Sequence, residues 1–211
     1  MKKKNASALA TLVTIAIILI GGVISQQGDK SPPSITFPEN LLKAENEGIA
    51  PFGYIEATVS KVTDGDTFHI IYENRDYKVR MLDIDTPESV KAGVEPQPFS
   101  KEASRLTEEM LADKSVRLIF EKDTTDQFNR LLAHVILEDN TYYNAYMVEN
   151  GYAICVFYSP NTLLKKYFNE LQDNAVNEQK GFWQLPEKDR PFIRDSKGKY
   201  VAAYKSKGKA A

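Results

Sequence analysis

Three short stretches hold the residues best suited to chemistry on a phosphodiester. They are Asp64-Gly65-Asp66-Thr67, the run from Arg80 through Asp83, Asp85, Thr86 and Pro87 to Glu88, and Asp126-Gln127-Phe128-Asn129-Arg130. Hydrolysis of such a bond needs an attacking water, a group to orient or deprotonate it, and positive charge where the phosphoryl oxygens gain negative charge. Carboxylates meet the second need. Arginine meets the third, because its planar guanidinium donates two parallel hydrogen bonds to phosphoryl oxygens, whereas lysine offers only a point charge.

Each stretch also has an ordinary structural explanation. Asp64-Gly65-Asp66 is good hairpin-turn chemistry, and it is a poor calcium-loop motif of the helix-loop-helix type, since the closing glutamate position is Arg75. Thr86-Pro87 would suit a helix start. Arg130 alone reads as a surface ion-pair residue. Only the ordered set argues for a site.

Positioning these residues falls to short elements. Residues 57–63, 67–72 and 77–82 are runs rich in valine, isoleucine, tyrosine and phenylalanine, parted by Asp64-Gly65-Asp66 and by Glu73-Asn74-Arg75-Asp76, the pattern of antiparallel strands. Ser100 reads as the N-cap of an amphipathic helix running to about Asp113, with Ala103, Leu106, Met110 and Leu111 on one face. Strands follow at 116–121 and 131–137, then a short helix at 144–150 stopped by Gly151. A last helix runs from near Asn161, with Leu164, Tyr167, Phe168, Leu171 and Ala175 in phase, and ends at Gly181. Five strands with about three helices predict an α+β fold on a small closed barrel of the OB type.

In order and spacing, the Asp-Gly-Asp-Thr turn, the arginine fourteen residues on, the Asp-Thr-Pro-Glu box and the later Asp-x-x-x-Arg resemble the staphylococcal-type nucleases, the thermonucleases, over roughly residues 57–183. The resemblance implies an OB-fold nuclease that uses Ca2+ and cleaves DNA and RNA to 3′-phosphate ends. It makes the carboxylates of Asp66 and Asp85 and the backbone carbonyl of Thr86 the metal ligands, hard oxygen donors that suit calcium. Pro87 holds Thr86 extended, which fixes the direction of that carbonyl. The same resemblance gives Glu88 the task of orienting the attacking water or taking its proton, and Arg80 and Arg130 that of clamping the phosphate. Two departures weaken substrate binding rather than chemistry: Gln127 and Phe128 stand where the family commonly has lysine and tyrosine, and Val156 breaks a Tyr-x-Tyr pair ending at Tyr158. The rival reading is a noncatalytic OB module that binds nucleic acid or protein. It predicts loss of a metal carboxylate or a phosphate arginine, and none is lost.

Lys2, Lys3 and Lys4 precede an apolar stretch from Ala8 to Ile24, the layout of an export signal. That run is at the short end of what spans a bilayer, which favours a cleaved signal over a retained anchor. Residues 1–25 are therefore expected to be a signal or membrane tether. Residues 26–53, with Pro32, Pro33, Pro38 and Pro51, read as a flexible linker or pro-segment, 54–186 as the nuclease domain, and 187–211 as a frayed polar tail. Loss of residues 1–25 removes three lysines and no acids and takes the formal net charge from −2 to −5. That balance argues against a broad cationic nucleic-acid surface and for affinity from a few focused charges with a metal ion. The expected enzyme is secreted or on the outer face of the membrane, monomeric, with nucleic acid as its only partner. Cys155, the sole cysteine, reads as a small buried hydrophobe, and neither His69 nor His134 has neighbours in sequence at metal-ligand spacing.

Overall fold

The computed structural model describes residues 35–38, 40–89, 92–93 and 95–207; the leader expected over residues 1–25 lies outside them. Among the described residues no helix is long and apolar enough to cross a membrane. After a two-residue strand β1 (Asn46–Glu47), the chain enters β2 (Gly53–Asp64), β3 (Thr67–Tyr72), β4 (Arg75–Met81) and the short β5 (Ile84–Asp85). Helix α1 (Ser100–Leu111) leads to β6 (Ser115–Ile119) and β7 (Leu131–Leu137), followed by α2 (Tyr143–Glu149), β8 (Ile154–Cys155) and α3 (Lys165–Asn177).

Strand β2 closes the barrel. Its first half pairs antiparallel with β6, from Tyr54 opposite Ile119 to Thr58 opposite Ser115, and its second half pairs with β3, from Thr58 opposite Ile71 to Asp64 opposite Thr67. Gly53, Ile55, Ala57 and Val59 alternate inward, as one buried face demands. The register then shifts between Val59 and Lys61 and again between Val62 and Asp64, bulges that bend a strand from one neighbour to the next. The cyclic order β2-β3-β4-β7-β6 returns to β2, and β4 and β7 run parallel, with Arg80 opposite Leu132. This five-stranded barrel with helices is the OB-type α+β fold expected.

The core is continuous from Ile55, Phe68 and Val79 inside the barrel to Tyr142, Met147, Leu164 and Phe168 under α2 and α3. Helix α1 is capped by the backbone of Phe99, in the left-handed region (φ 64°), and not by a side chain; Ser100 is its first residue and its hydroxyl is buried. The expected Ser100 cap is corrected on that ground.

Two further expectations change. The linker read over 26–53 is not free over its described part: Thr36 bridges to Thr141, Leu42 is buried, and Phe37 packs edge-on against Tyr142 at 4.9 Å between ring centroids. Four prolines conceal apolar anchors there. Nor is 187–207 a frayed tail. Strands β9 (Phe192–Arg194) and β10 (Tyr200–Ala202) form a hairpin that runs into the short helix α4 (Ala203–Lys207). Phe192 and Ala202 join Phe182, Trp183 and Ile154 in a second core cluster, so Trp183 packs against this hairpin and not simply under the last helix. Two buried apolar residues among many lysines outweigh the polar average.

Phe192→Ala is expected to lower stability by about 3 kcal/mol in urea unfolding with an unchanged slope, as for other buried phenylalanines. A frayed tail would give no change.

Candidate active site

The turn between β2 and β3 sets the first wall of the site. Asp66 is buried, and its Oδ2 accepts the backbone N–H of Thr86 at 2.9 Å and the Thr86 hydroxyl at 3.0 Å, while Oδ1 accepts the Thr67 hydroxyl at 3.0 Å. Gly65 is required by proximity: a Cβ there would stand 2.8–2.9 Å from the Thr86 side chain. The hairpin tripeptide is therefore also a seat for the Thr86 loop.

The second wall comes from β4 and β5. Arg80 leaves the end of β4 between two acids, with Nη2 donating to Asp85 Oδ1 at 2.9 Å and Nη1 at 2.7 Å from Asp66 Oδ2 as an ion pair off the hydrogen-bond line. Burial works against the Arg80 charge, but Asp66, Asp85 and Asp64 outweigh it and raise the pKa further. Asp85 is fixed because β5 pairs with β8, and Val156 N–H donates to the Asp83 carbonyl at 3.0 Å. Burial, with the Asp66 charge adding to it and Arg80 opposing, lifts Asp85 to about 6. Burial and the neighbouring Asp66 lift Asp64 to about 7.

Glu88 follows Pro87 in a loop, not a helix. Its backbone is clamped from both sides by Gln97, whose Oε1 accepts Glu88 N–H and whose own N–H donates to the Glu88 carbonyl, each at 2.9 Å. Gln97 Nε2 in turn donates to the Pro191 carbonyl at 2.6 Å. Arg130 lies just before β7. Its Nε and Nη2 both meet Asp126 Oδ2 at 2.7 Å, and Asp126 Oδ1 accepts the backbone N–H groups of Phe128 and Arg130. Burial of Asp126 is outweighed by these hydrogen bonds, which hold its carboxyl below the usual range. The Arg130 guanidinium sits 5.6 Å from the Phe128 ring centroid.

One open cleft of about 400 Å³ is lined by Asp66, Arg80, Asp85, Thr86, Glu88 and Arg130, the six residues singled out in sequence, together with Asp64 and Phe128. Sequence reasoning missed three contributors. Gln97, Tyr204 and Lys205 also line the cleft, and the Lys205 charge reaches Asp85 and favours its ionised form. Nothing in a lysine-containing tail signals that. A neighbouring cavity of about 530 Å³ runs past Arg80 and Arg130 to Phe128 and Tyr158, both rings largely exposed. Cys155 is buried with its thiol pushed up to about 12 by that burial. His69 pairs with Asp76 near the surface, whereas His134 is fully buried beside Glu121, with Asp83 close by. His134 is the core histidine its apolar strand predicts, with Glu121 and Tyr142 at its two ring nitrogens; its acidic neighbours come from distant segments, which spacing in sequence cannot reveal.

Residues 78–185, just over half of the chain, match the family described as Staphylococcal nuclease homologue. Arg80, Asp85, Thr86, Glu88 and Arg130 lie within that segment and Asp66 precedes it. The chain is 35% identical over 126 residues to a thermonuclease of Staphylococcus intermedius, covering 60% of this chain and 74% of that protein. It is 34% identical over 125 residues to a thermonuclease of Staphylococcus hyicus, covering 59% and 73%. Endonuclease YncB of Bacillus subtilis is 29% identical over 130 residues, covering 61% and 62%.

The raised carboxyls fix a pH dependence. Asp64 at about 7 and Asp83, lifted to about 8 by burial and by Glu121, bind protons more tightly folded than unfolded, so their contribution to stability is lost as pH rises through those values. His134, held neutral by burial, acts only on the acid side. The Tm of the metal-stripped protein is expected to fall from about pH 6.5 and to level off above about pH 8, and Asp83→Asn to flatten that fall, in calorimetry.

Proposed function

We propose that this chain, which belongs to the staphylococcal nuclease homologue family, is a calcium-dependent, sugar-nonspecific endonuclease that hydrolyses DNA and RNA and leaves 3′-phosphate ends. The observation that carries the reading is the meeting of two arginines, two carboxylates, Thr86 and Glu88 from three separate segments in one cleft. The donor chemistry fits a hard divalent cation: Asp66 and Asp85 are oxygen donors side by side, with Asp64 adjacent, and burial, with the Asp66 charge adding to it, lifts Asp64 and Asp85. Asp66, Asp85 and the Thr86 carbonyl would hold that ion. When bound, calcium supplies positive charge against a phosphoryl oxygen.

The chain's own groups do the rest. Glu88, its backbone fixed by Gln97, orients the attacking water and takes its proton. As the water oxygen bonds to phosphorus, the bond to O5′ breaks, and O5′ leaves with a proton from solvent. Arg80 and Arg130 donate to the phosphoryl oxygens as negative charge grows there, preorganised by Asp66, Asp85 and Asp126. Phe128 and Tyr158 offer faces on which bases stack without regard to sequence. Water as nucleophile needs no 2′-hydroxyl, so both sugars are substrates. The acidic balance of the chain agrees with gripping substrate through these few charges. Lys2, Lys3 and Lys4 with the apolar run from Ala8 to Ile24 support export, residues 54–186 carrying the enzyme as a monomer outside the cell.

Circular DNA and RNA are both expected to be cut in calcium and spared in excess EGTA; undiminished cutting in chelator overturns the metal assignment. Arg130→Lys is expected to lower kcat by on the order of a hundredfold, the loss typical of a preorganised charge stabiliser. A raised KM with unchanged kcat would show binding alone.

A further inference from the structure

At the turn that precedes Asp85, and outside the cleft, three ionisable side chains from three distant segments meet in the interior. Asp83 is on the β4–β5 turn, Glu121 follows β6 and His134 is on β7; a carboxylate oxygen of each acid and a ring nitrogen of the histidine all lie within 4.8 Å of one another. Their exposures are 4%, 0% and 0%. Glu121 Oε1 is 3.2 Å from His134 Nε2, and Oε2 accepts Leu163 N–H at 3.3 Å. Asp83 is the exception: neither of its buried carboxylate oxygens has a hydrogen-bond partner among the described residues. A buried polar group without a partner is costly, and a buried carboxylate more so.

The backbone pays into the same arrangement. Asp83 is in the left-handed region (φ 62°), uncommon for a residue with a side chain, and the turn is pinned on both sides, by Val156 N–H on the Asp83 carbonyl and by Asn144 Nδ2 on the Leu82 carbonyl at 2.8 Å. The turn therefore holds a carboxylate pointed at Glu121 and His134 with nothing there to receive it. The far ring nitrogen, His134 Nδ1, lies 2.6 Å from the Tyr142 hydroxyl. If that nitrogen carries the proton and Tyr142 accepts it, Nε2 presents its lone pair to the cluster, the arrangement usual for a ligating histidine.

We propose that Asp83, Glu121 and His134 form a second, buried site for a divalent first-row metal ion of the zinc class, separate from the calcium cleft. One imidazole nitrogen with two carboxylates is a donor set for zinc, manganese or cobalt and not for calcium or magnesium, which take oxygen. A doubly charged ion also balances two buried carboxylates beside a neutral histidine. Donors around zinc stand about 3.4 Å apart in a tetrahedron, so the three groups close slightly on the ion, and Asp83, which lines the 530 Å³ cavity, gives the entry path and room for a water as fourth ligand. The bound ion staples the β4–β5 turn to the ends of β6 and β7. The proposal does not depend on the nuclease reading.

The test is zinc titration of the full-length chain, stripped with EDTA and held in excess calcium, by calorimetry and thermal unfolding. His69→Gln serves as background, to remove the other histidine. One zinc per chain is expected, with Tm raised by roughly 5 to 10 °C at a hundredfold excess over Kd. Asp83→Asn, isosteric and unable to ionise, is expected to fold and to lose the zinc-dependent shift, while Asp66→Asn keeps it. Zinc X-ray absorption on the unmutated site gives a reading that needs no variant at Asp83: one imidazole in the shell supports the proposal. An all-oxygen shell, loss of zinc binding in Asp66→Asn, or zinc affinity in Asp83→Asn equal to that of the parent overturns it.

Discussion

A sheet of five strands closes on itself only when its two outer strands pair with each other, and here β2, already paired with β3 on one edge, takes β6 on the other. Its twelve residues leave β6 at Thr58 and take up β3 from the same residue, and the two bulges that follow turn the strand through the change. Everything downstream inherits this bend. The hairpin carrying Asp66 is aimed at the end of β4, β4 is set against β7, and the loop before β7 delivers Arg130 to the mouth of the cleft. A shorter β2 would leave an open sheet whose edges expose unpaired backbone, and the three chemical stretches would lie on separate rims.

Within the frame, charge is arranged as a chain. Arg80 stands between Asp66 and Asp85, Asp66 receives Thr86, and Arg130 is gripped by Asp126. Each guanidinium is thus held in place by a carboxylate, the kind of preorganisation that removes reorganisation from a barrier where charge develops. The polar clamp of Gln97 on Glu88 extends the chain to Pro191, tying the Glu88 loop to the C-terminal hairpin. That hairpin is accordingly part of the site's support.

The barrel strands and the cleft were legible in sequence because both are written locally. Residues 67–72 and 131–137 are strands as the β-branched runs predict, and the motif residues lie near strand ends where turn chemistry marks them. What was not legible is long-range. Phe192 and Ala202 look unremarkable among charged neighbours until Trp183 is placed beside them. Phe37 and Leu42 sit in a proline-rich stretch whose composition says linker while their burial says core. The Asp83, Glu121 and His134 meeting joins positions far apart in the chain, and only barrel closure makes them neighbours. Helix α1 begins on a left-handed Phe99, a backbone device that no capping residue advertises.

The parallel pairing of β4 with β7 has a consequence in time. Val79 meets Leu131 and Arg80 meets Leu132, contacts separated by some fifty residues that include α1 and β6. Pairings of such long sequence separation form slowly, after local hairpins, because loop-closure entropy must be met first. The β2–β3–β4 meander, with Asp66 and Arg80, is local and can form early, whereas Arg130 reaches the cleft only when β7 docks. A chain in which β7 has not docked therefore holds Asp66 and Arg80 together without Arg130, and the cleft is complete only with closure of the barrel.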